Sequence, residues 1–276
     1  MDFYQQHAII TGGSSGIGKA TAIMLAREGA HVSIIARHQD RLKIAKAEIE
    51  AERAYSEQRI IWLSADVADR TQIEQAIATA IEEVGTPDLL ITSAGIAHPG
   101  YFHQLSLQVF EETMAINYFG TLYAIEAVLP LMMQKQQGHI AIVSSGAGLI
   151  GIYGYTPYSP TKFALRGLAE SLRGELKYLG IHISIVYPPD TDTPQLAAEN
   201  LTKPAETKLI TGTAKTWSAE GVAKVILRGI KRKEFAITPG LEMKLLHAWH
   251  SCLAPILNWY FDGIVSKVRR AEKYTQ

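Results

Sequence analysis

Cysteine is nearly absent. Cys252 stands alone in 276 residues, so no intrachain disulfide can form. That usage fits a reducing, cytoplasmic setting. Charge of one sign is not in excess either, with Lys plus Arg and Asp plus Glu at 27 each. Without a basic surplus there is no counterion release to gain, and a nucleic-acid partner is not expected. Low-complexity tracts and internal repeats are missing, and Met1 to Gln6 is too short and polar for a secretory leader. What remains is 47% hydrophobic and 20% charged, the balance of a globular protein. The chain is long enough to bury a large core without disulfides or metal staples.

Short apolar runs alternate with longer helical patterns. Strands are expected at 7–11, 31–36, 60–64, 88–92, 139–144 and 181–187, with a weaker one at 234–237. Helices are expected at 17–28, 39–53, 71–84, 107–134, 157–179 and 218–230. Near-continuous apolar strands separated by helices predict an α/β fold: a Rossmann-type doubly wound parallel sheet with helices on both faces. No linker breaks the pattern. Residues 1–240 read as one nucleotide-binding catalytic domain, and 241–276 as its C-terminal helical extension.

The first strand runs into Thr11-Gly-Gly-Ser-Ser-Gly-Ile-Gly18, which opens a helix. Gly12, Gly16 and Gly18, with Ser14, Ser15 and Ile17 between them, let a pyrophosphate approach the helix N-terminus. Free N–H groups and the helix dipole favour negative charge there. Gly146, Gly148 and Gly151 show another dinucleotide spacing, but loop rather than helix follows them, so that match is rejected. At the end of the second strand the run is Ile34-Ile-Ala-Arg37-His38, with no acid before Asp40. An acid there would suit ribose hydroxyls; Arg37 suits a 2′-phosphate. The expected cofactor is NADP(H). Asp66 reads in two ways, as an adenine acceptor or as a turn acid.

Tyr158 and Lys162 lie four apart, on one helical face. Twelve tyrosines and the lysines of this chain predict about two thirds of one such pair by chance, so the pair alone means little. Ser145, at the end of the fifth strand, and Asn117 complete a set suited to ketone reduction. A free tyrosine ionises near pH ~10. A nearby ammonium is expected to bring Tyr158 toward useful acid–base behaviour. Ser145 can stabilise negative charge on the carbonyl oxygen, and Asn117 can position a water that resupplies the proton.

Taken in order, Thr11–Gly18, Asp66-Val67, Ser93-Ala94-Gly95, Asn117, Ser144-Ser145, Tyr158-x-x-x-Lys162 and Pro188-Pro189 resemble the short-chain dehydrogenase/reductase family over about residues 5–240. The resemblance implies Tyr158 as proton donor, Lys162 as modulator, Ser145 as oxyanion stabiliser and Asn117 as relay. It also implies nucleotide contacts from Val67, Ala94, Gly95 and Pro188, and a homo-oligomer. Two departures stand out: Ser93 where the family has asparagine, and Pro189 where it has glycine.

The run Tyr187-Pro-Pro-Asp-Thr-Asp-Thr-Pro194 and the segments 154–158, 163–170 and 200–207 resemble the branch that reduces a long-chain 3-keto sphingoid base with NADPH. Gln195 departs from it, standing in place of glycine. A generic reductase of another lipid ketone or of a 3-oxoacyl substrate shares these features, and a scaffold that binds nucleotide without turnover is a third reading. Residues 245–261 contain no Asp, Glu, Lys or Arg and include Trp249, Trp259 and Tyr260, with Pro255 as an interruption. That stretch reads either as a peripheral membrane contact or as a helix packed on the domain or a second subunit. His247 and His250 lack neighbouring acids or cysteines, so no metal is expected. Residues 190–217 read as a long loop, a lid over the nicotinamide whose Thr191 and Thr193 offer hydroxyls to the cofactor.

Overall fold

The computed structural model describes residues 2–212 and 215–273. Thr213 and Ala214, part of the expected lid, lie outside the described residues. Strands β1 (His7–Thr11), β2 (His31–Ala36), β3 (Ile60–Ser64), β4 (Leu89–Thr92), β5 (Gly138–Val143) and β6 (Ile181–Val186) alternate with helices α1 (Gly16–Arg27), α2 (Gln39–Glu50), α3 (Arg70–Val84), α4 (Leu107–Met114), α5 (Gly120–Lys135) and α6 (Tyr158–Leu176). The chain continues through β7 (Thr191–Asp192), α7 (Pro194–Thr202), α8 (Ala205–Thr211), β8 (Trp217–Ser218), α9 (Ala219–Lys231), β9 (Ala236–Ile237) and α10 (Gly240–Lys273).

The main sheet is parallel throughout, in the order β3-β2-β1-β4-β5-β6-β9. Its strands are apolar at nearly every position because both faces are covered. Side chains alternate across the sheet. Ile9, Ile35, Leu90, Ile140 and Ile183 enter a core closed by Ile77, Val128 and Leu165 of α3, α5 and α6. Ala8, Ile10, Val32, Ile34 and Ile91 enter the opposite core, closed by Leu25, Leu42 and Ile226 of α1, α2 and α9. Strand order reverses between β1 and β4, which opens the crevice where open α/β sheets bind ligands.

Three expectations need correction. The single helix expected at 107–134 is interrupted by a π-helical turn at Ala115–Phe119 that carries Asn117. The wider turn delivers the Asn117 side chain to the loop after β4. An 18-residue stretch of this run, Leu107–Lys135, reaches a mean hydropathy of 1.2, and the run is long and apolar enough to cross a bilayer. Ile116, Ala124, Ile125, Val128 and Met132 nevertheless lie in the core against the sheet. Secondly, 190–217 is not a loop: two short helices, α7 and α8, and a two-stranded β7–β8 pairing build it. Thirdly, Pro255 does not interrupt α10, which runs through it. A proline removes one hydrogen bond to the residue four before it, and Ser251 is exposed, so its carbonyl can turn to water.

Helix α10 touches the domain through its first half. His247 lies against the Tyr187 ring at 5.4 Å, and His250 Nε2 is 3.1 Å from Arg166 Nη1. Leu241, Leu245, Trp249, Ile256, Trp259 and Tyr260 remain exposed. They fall on one face at spacings of three and four.

Candidate active site

A cavity of about 510 Å³ opens at the carboxyl ends of β1, β4, β5 and β6. Its first wall is the glycine turn. Gly12 takes a φ of +71°, and a side chain there would strike Ala94 N at 2.6 Å. A Cβ on Gly18 would lie 2.4 Å from the Gly12 carbonyl oxygen. Those two glycines permit the tight turn and the close packing of α1. Gly16, at φ +53°, faces the cavity across from the Thr193 methyl. Ser15 caps α1 in extended conformation with no side-chain bond to the helix, and no acid sits in the first turn. The first N–H groups of α1 are therefore available to an anion. This wall fits the pyrophosphate of a dinucleotide.

The far end of the cavity is basic. Arg37 and His38 line it, and so does Arg41, which was not foreseen although it sits four residues on, at the start of α2. Asp66 makes the turn: Oδ1 accepts from Ala68 N at 3.0 Å, and Oδ2 lies 3.9 Å from Arg37 Nη1. Ala65 and Val67 on either side of it line the cavity, as do Ala94, Gly95 and Pro188.

The reacting end lies between β5 and α6. Ser145 follows β5 in extended backbone, its Oγ accepting from Ala147 N at 3.1 Å. Tyr158 opens α6, and the Ser145 and Gln195 side chains near its hydroxyl favour the ionised phenol. The Ser144 hydroxyl donates to the Lys162 carbonyl, pinning β5 to α6. A Cβ on Gly148 would strike both Ser144 Oγ and the Lys162 carbonyl oxygen, so this later glycine serves close packing. One turn below Tyr158, Lys162 Nζ donates to the Val143 carbonyl at 3.1 Å and lies 5.4 Å from the Tyr158 ring centre.

The electrostatics of the protein alone run against the expected direction. Burial, reinforced by the Glu199 carboxylate, pushes the Tyr158 phenol well above its ordinary value, against the pull of the Ser145 and Gln195 side chains. Burial also pushes Lys162 down to about 8, with Glu199 opposing. Desolvation of both charged forms outweighs their mutual attraction. At neutral pH the phenol keeps its proton.

Asn117 is fully buried. Its Oδ1 accepts from Ile96 N at 2.9 Å, while Nδ2 donates to the Ile96 carbonyl and to Thr161 Oγ1, both at 3.0 Å. Both amide hydrogens are thus engaged, so a relay water would meet the remaining lone pair of Oδ1. Asn117 also ties the loop after β4 to α6. Thr191 and Thr193 reach the cavity, but their hydroxyl hydrogens are likewise engaged. Thr191 donates to the Pro189 carbonyl; Thr193 donates to the Thr191 carbonyl and accepts from Leu196 N as the cap of α7.

The segment spanning α7 and α8 lies over the cavity and is docked by buried polar pairs. Tyr155 Oη donates to Glu199 Oε2 at 2.5 Å, and Gln195 Nε2 donates to Glu199 Oε1 at 2.9 Å. Lys203 Nζ lies 4.0 Å from Glu199 and 3.8 Å from Asp190. Tyr101 and Tyr153 both donate to Glu206. Tyr155, Gln195, Glu199 and Lys203 escaped the sequence reading, although 195, 199 and 203 are spaced by four as helical ion pairs are. Among the described residues no group of three or more His, Cys, Asp or Glu side chains could hold a metal.

Comparison with known proteins agrees with this geometry. The family model for short chain dehydrogenase matches residues 6–204. The 3-ketodihydrosphingosine reductase of Bos taurus is 42% identical over 251 residues, which is 91% of this chain and 76% of the relative. That of Dictyostelium discoideum is 41% identical over 279 residues, covering 96% of this chain and 84% of the relative. Among solved structures, levodione reductase superposes with a TM-score of 0.77 at 25% identity, covering 86% of this chain and 95% of that one. A short chain dehydrogenase/reductase from Burkholderia phymatum in complex with NAD gives 0.80 at 21% identity, with 91% and 95% covered, a likeness of fold. The chain belongs to the short-chain dehydrogenase/reductase family and is an oxidoreductase that works with a nucleotide cofactor.

Proposed function

We propose that the chain is an NADPH-dependent reductase of a long-chain 3-keto sphingoid base, converting 3-ketodihydrosphingosine to dihydrosphingosine. The observation that carries this is the meeting of Ser145 and a protonated Tyr158 at the end of β5, in a chain over 40% identical to reductases of that name. When bound, the nicotinamide nucleotide supplies the hydride. Tyr158 then protonates the carbonyl oxygen, and its raised pKa keeps that proton in place until charge develops on the substrate. Ser145 donates to the same oxygen from beside Tyr158. Lys162 holds the nicotinamide ribose and, as an ammonium, steadies negative charge on the phenol oxygen. Asn117 is a positioning residue, fixing α6 against the loop after β4.

Arg37 and Arg41 support NADPH over NADH, since both line the cavity beyond the end of β2 and would hold a 2′-phosphate there. The exposed apolar face of α10 supports a cytoplasmic protein resting on a membrane surface. The groove of Ile81, Leu129 and Met133 between α3 and α5 supports a homo-oligomer. Nucleotide oxidation followed at 340 nm, with 3-ketodihydrosphingosine beside a simple long-chain ketone and a 3-oxoacyl thioester, tests the activity. Turnover restricted to the thioester would assign the site to acyl substrates. Flotation with anionic vesicles tests the surface contact, and it should be lost when Trp249 and Trp259 are both changed to Ser.

A further inference from the structure

The sphingoid ketone differs from an ordinary long-chain ketone in one chemical respect near the reacting carbon: the neighbouring carbon bears a primary amine, a cation when protonated. Resting on the activity proposed above, the geometry points to Glu199 as the residue that recognises this ammonium and so sets the preference of the site for 2-amino-3-keto substrates.

Position comes first. The ketone oxygen sits at Tyr158 and Ser145, so the amine lies one carbon further along. Glu199 lines the same cavity from α7 and is only 7% exposed. Gln195 links the two places, its side chain acting on the Tyr158 phenol while donating to Glu199 Oε1. The Tyr155 ring, 5.6 Å from that of Tyr158, forms the wall between them and holds the other Glu199 oxygen.

Charge comes second. Two carboxylates, Glu199 and Asp190, face a single buried ammonium on this segment, Lys203, at 4.0 and 3.8 Å. Lys162, which donates to the Val143 carbonyl, feels the Glu199 charge without pairing with it. Glu199 thus has no close ammonium partner, its contact with Lys203 being 4.0 Å, and a buried carboxylate in that state gains most from an incoming cation. The strain is visible in its neighbours. Burial raises the Asp190 carboxyl even beside Lys203, and Glu199 lifts the phenols of both Tyr155 and Tyr158. An ammonium placed there lowers all three, and its attraction to Glu199 offsets its own loss of water. A ketone without the amine leaves the excess charge in place, which is discrimination against the wrong substrate as well as attraction of the right one.

The test uses the full chain with NADPH, 3-ketodihydrosphingosine and its 2-deamino counterpart of equal chain length, dispersed in the same neutral detergent. The ratio of their kcat/KM values is the readout. The unchanged protein should favour the amino ketone at least tenfold. Glu199→Gln keeps the side-chain size and can still accept from Tyr155; it should reduce that ratio at least tenfold, chiefly through the KM of the amino ketone. Glu199→Asp should restore part of it. A ratio that Glu199→Gln leaves intact, with both substrates slowed by one factor, would show a structural role and overturn the inference. Should Glu199→Gln fail to fold, competition in the unchanged protein decides. Octadecylamine must inhibit at least tenfold better than octadecanol, and equal inhibition overturns the inference. Reduction of neither ketone by the unchanged protein overturns the proposed activity, whereas equal reduction of both leaves that activity and removes the role of Glu199.

Discussion

Replacing Arg37 with Ala probes the choice of nucleotide directly. The guanidinium stands at the end of β2, lines the cavity, and has only a loose neighbour in Asp66 at 3.9 Å. A charge-assisted bond to a phosphate contributes about 1.5–3 kcal/mol. Arg37 is 45% exposed, so water and salt screen it and the low end of that range applies. Arg41 stays in reach and shares the load. The single change should therefore weaken NADPH roughly tenfold, at about 1.4 kcal/mol per factor of ten, and leave NADH nearly untouched. Removing both arginines should take the loss toward roughly a hundredfold. Added salt should narrow the difference between the parent and the variant, because the lost term is electrostatic. Fluorescence titration of both nucleotides against the unchanged protein and the two variants gives the constants needed. Equal affinity of the unchanged protein for NADPH and NADH would refute the reasoning. So would a parallel loss for both nucleotides in Arg37→Ala, which would mean that the side chain shapes the adenine pocket rather than reading a phosphate.

Tyr158→Phe should lower kcat at least a hundredfold with NADPH affinity within about twofold, because the ring still packs on Tyr155 while the proton is gone. Lys162→Ala should lose both turnover and nucleotide affinity, and near-normal turnover by Tyr158→Phe would remove the assigned role. Burial holds His7 at about 4 and His139 at about 3, below the ordinary histidine value. Below about pH 6.5 the unfolded chain takes up protons that the folded chain refuses, so stability should fall from there toward pH 4 and stay flat with respect to these groups above pH 7. Thermal melts between pH 7.5 and 4.5 check this, and a constant Tm would contradict it. Amide exchange across 190–212 should slow on adding NADPH if the segment over the cavity closes on the nucleotide, and unchanged exchange at saturation would refute closure.

The parallel sheet was legible because both of its faces are buried. Six strands read as apolar runs, three of them with the observed bounds, and the glycine turn between β1 and α1 marks the nucleotide wall in the sequence itself. The trio Ser145, Tyr158 and Lys162 was legible because its members need fixed places: a strand end and one face of the following helix. Asn117 was found by its motif, but its tie to the loop after β4 was not. Nothing in a linear sequence marks a π turn, and the turn is what brings both ends of that amide to the Ile96 backbone. The perturbed acid–base values were misjudged for a related reason. Spacing placed an ammonium near a phenol, but only the packed structure shows how completely both are removed from water, and desolvation wins.

The segment over the cavity is where sequence reading stopped short. Helices α7 and α8 have nine and seven residues, too short to persist on their own propensity. Their sequence is polar enough to look like loop. They are held as helices by tertiary pairs that join residues far apart in the chain: Tyr155 to Glu199, Tyr101 and Tyr153 to Glu206, and the Thr207 hydroxyl to the Tyr153 carbonyl. Gly154, at φ +79°, permits that last contact, since a Cβ there would lie 2.4 Å from Thr207 Oγ1. All but the Tyr101 pair end on the short loop that leads into Tyr158. The segment and the catalytic tyrosine are therefore set by one network. Glu199, which fixes α7 through Tyr155, also lines the cavity, so a change made there to loosen the cover should also alter what the site accepts.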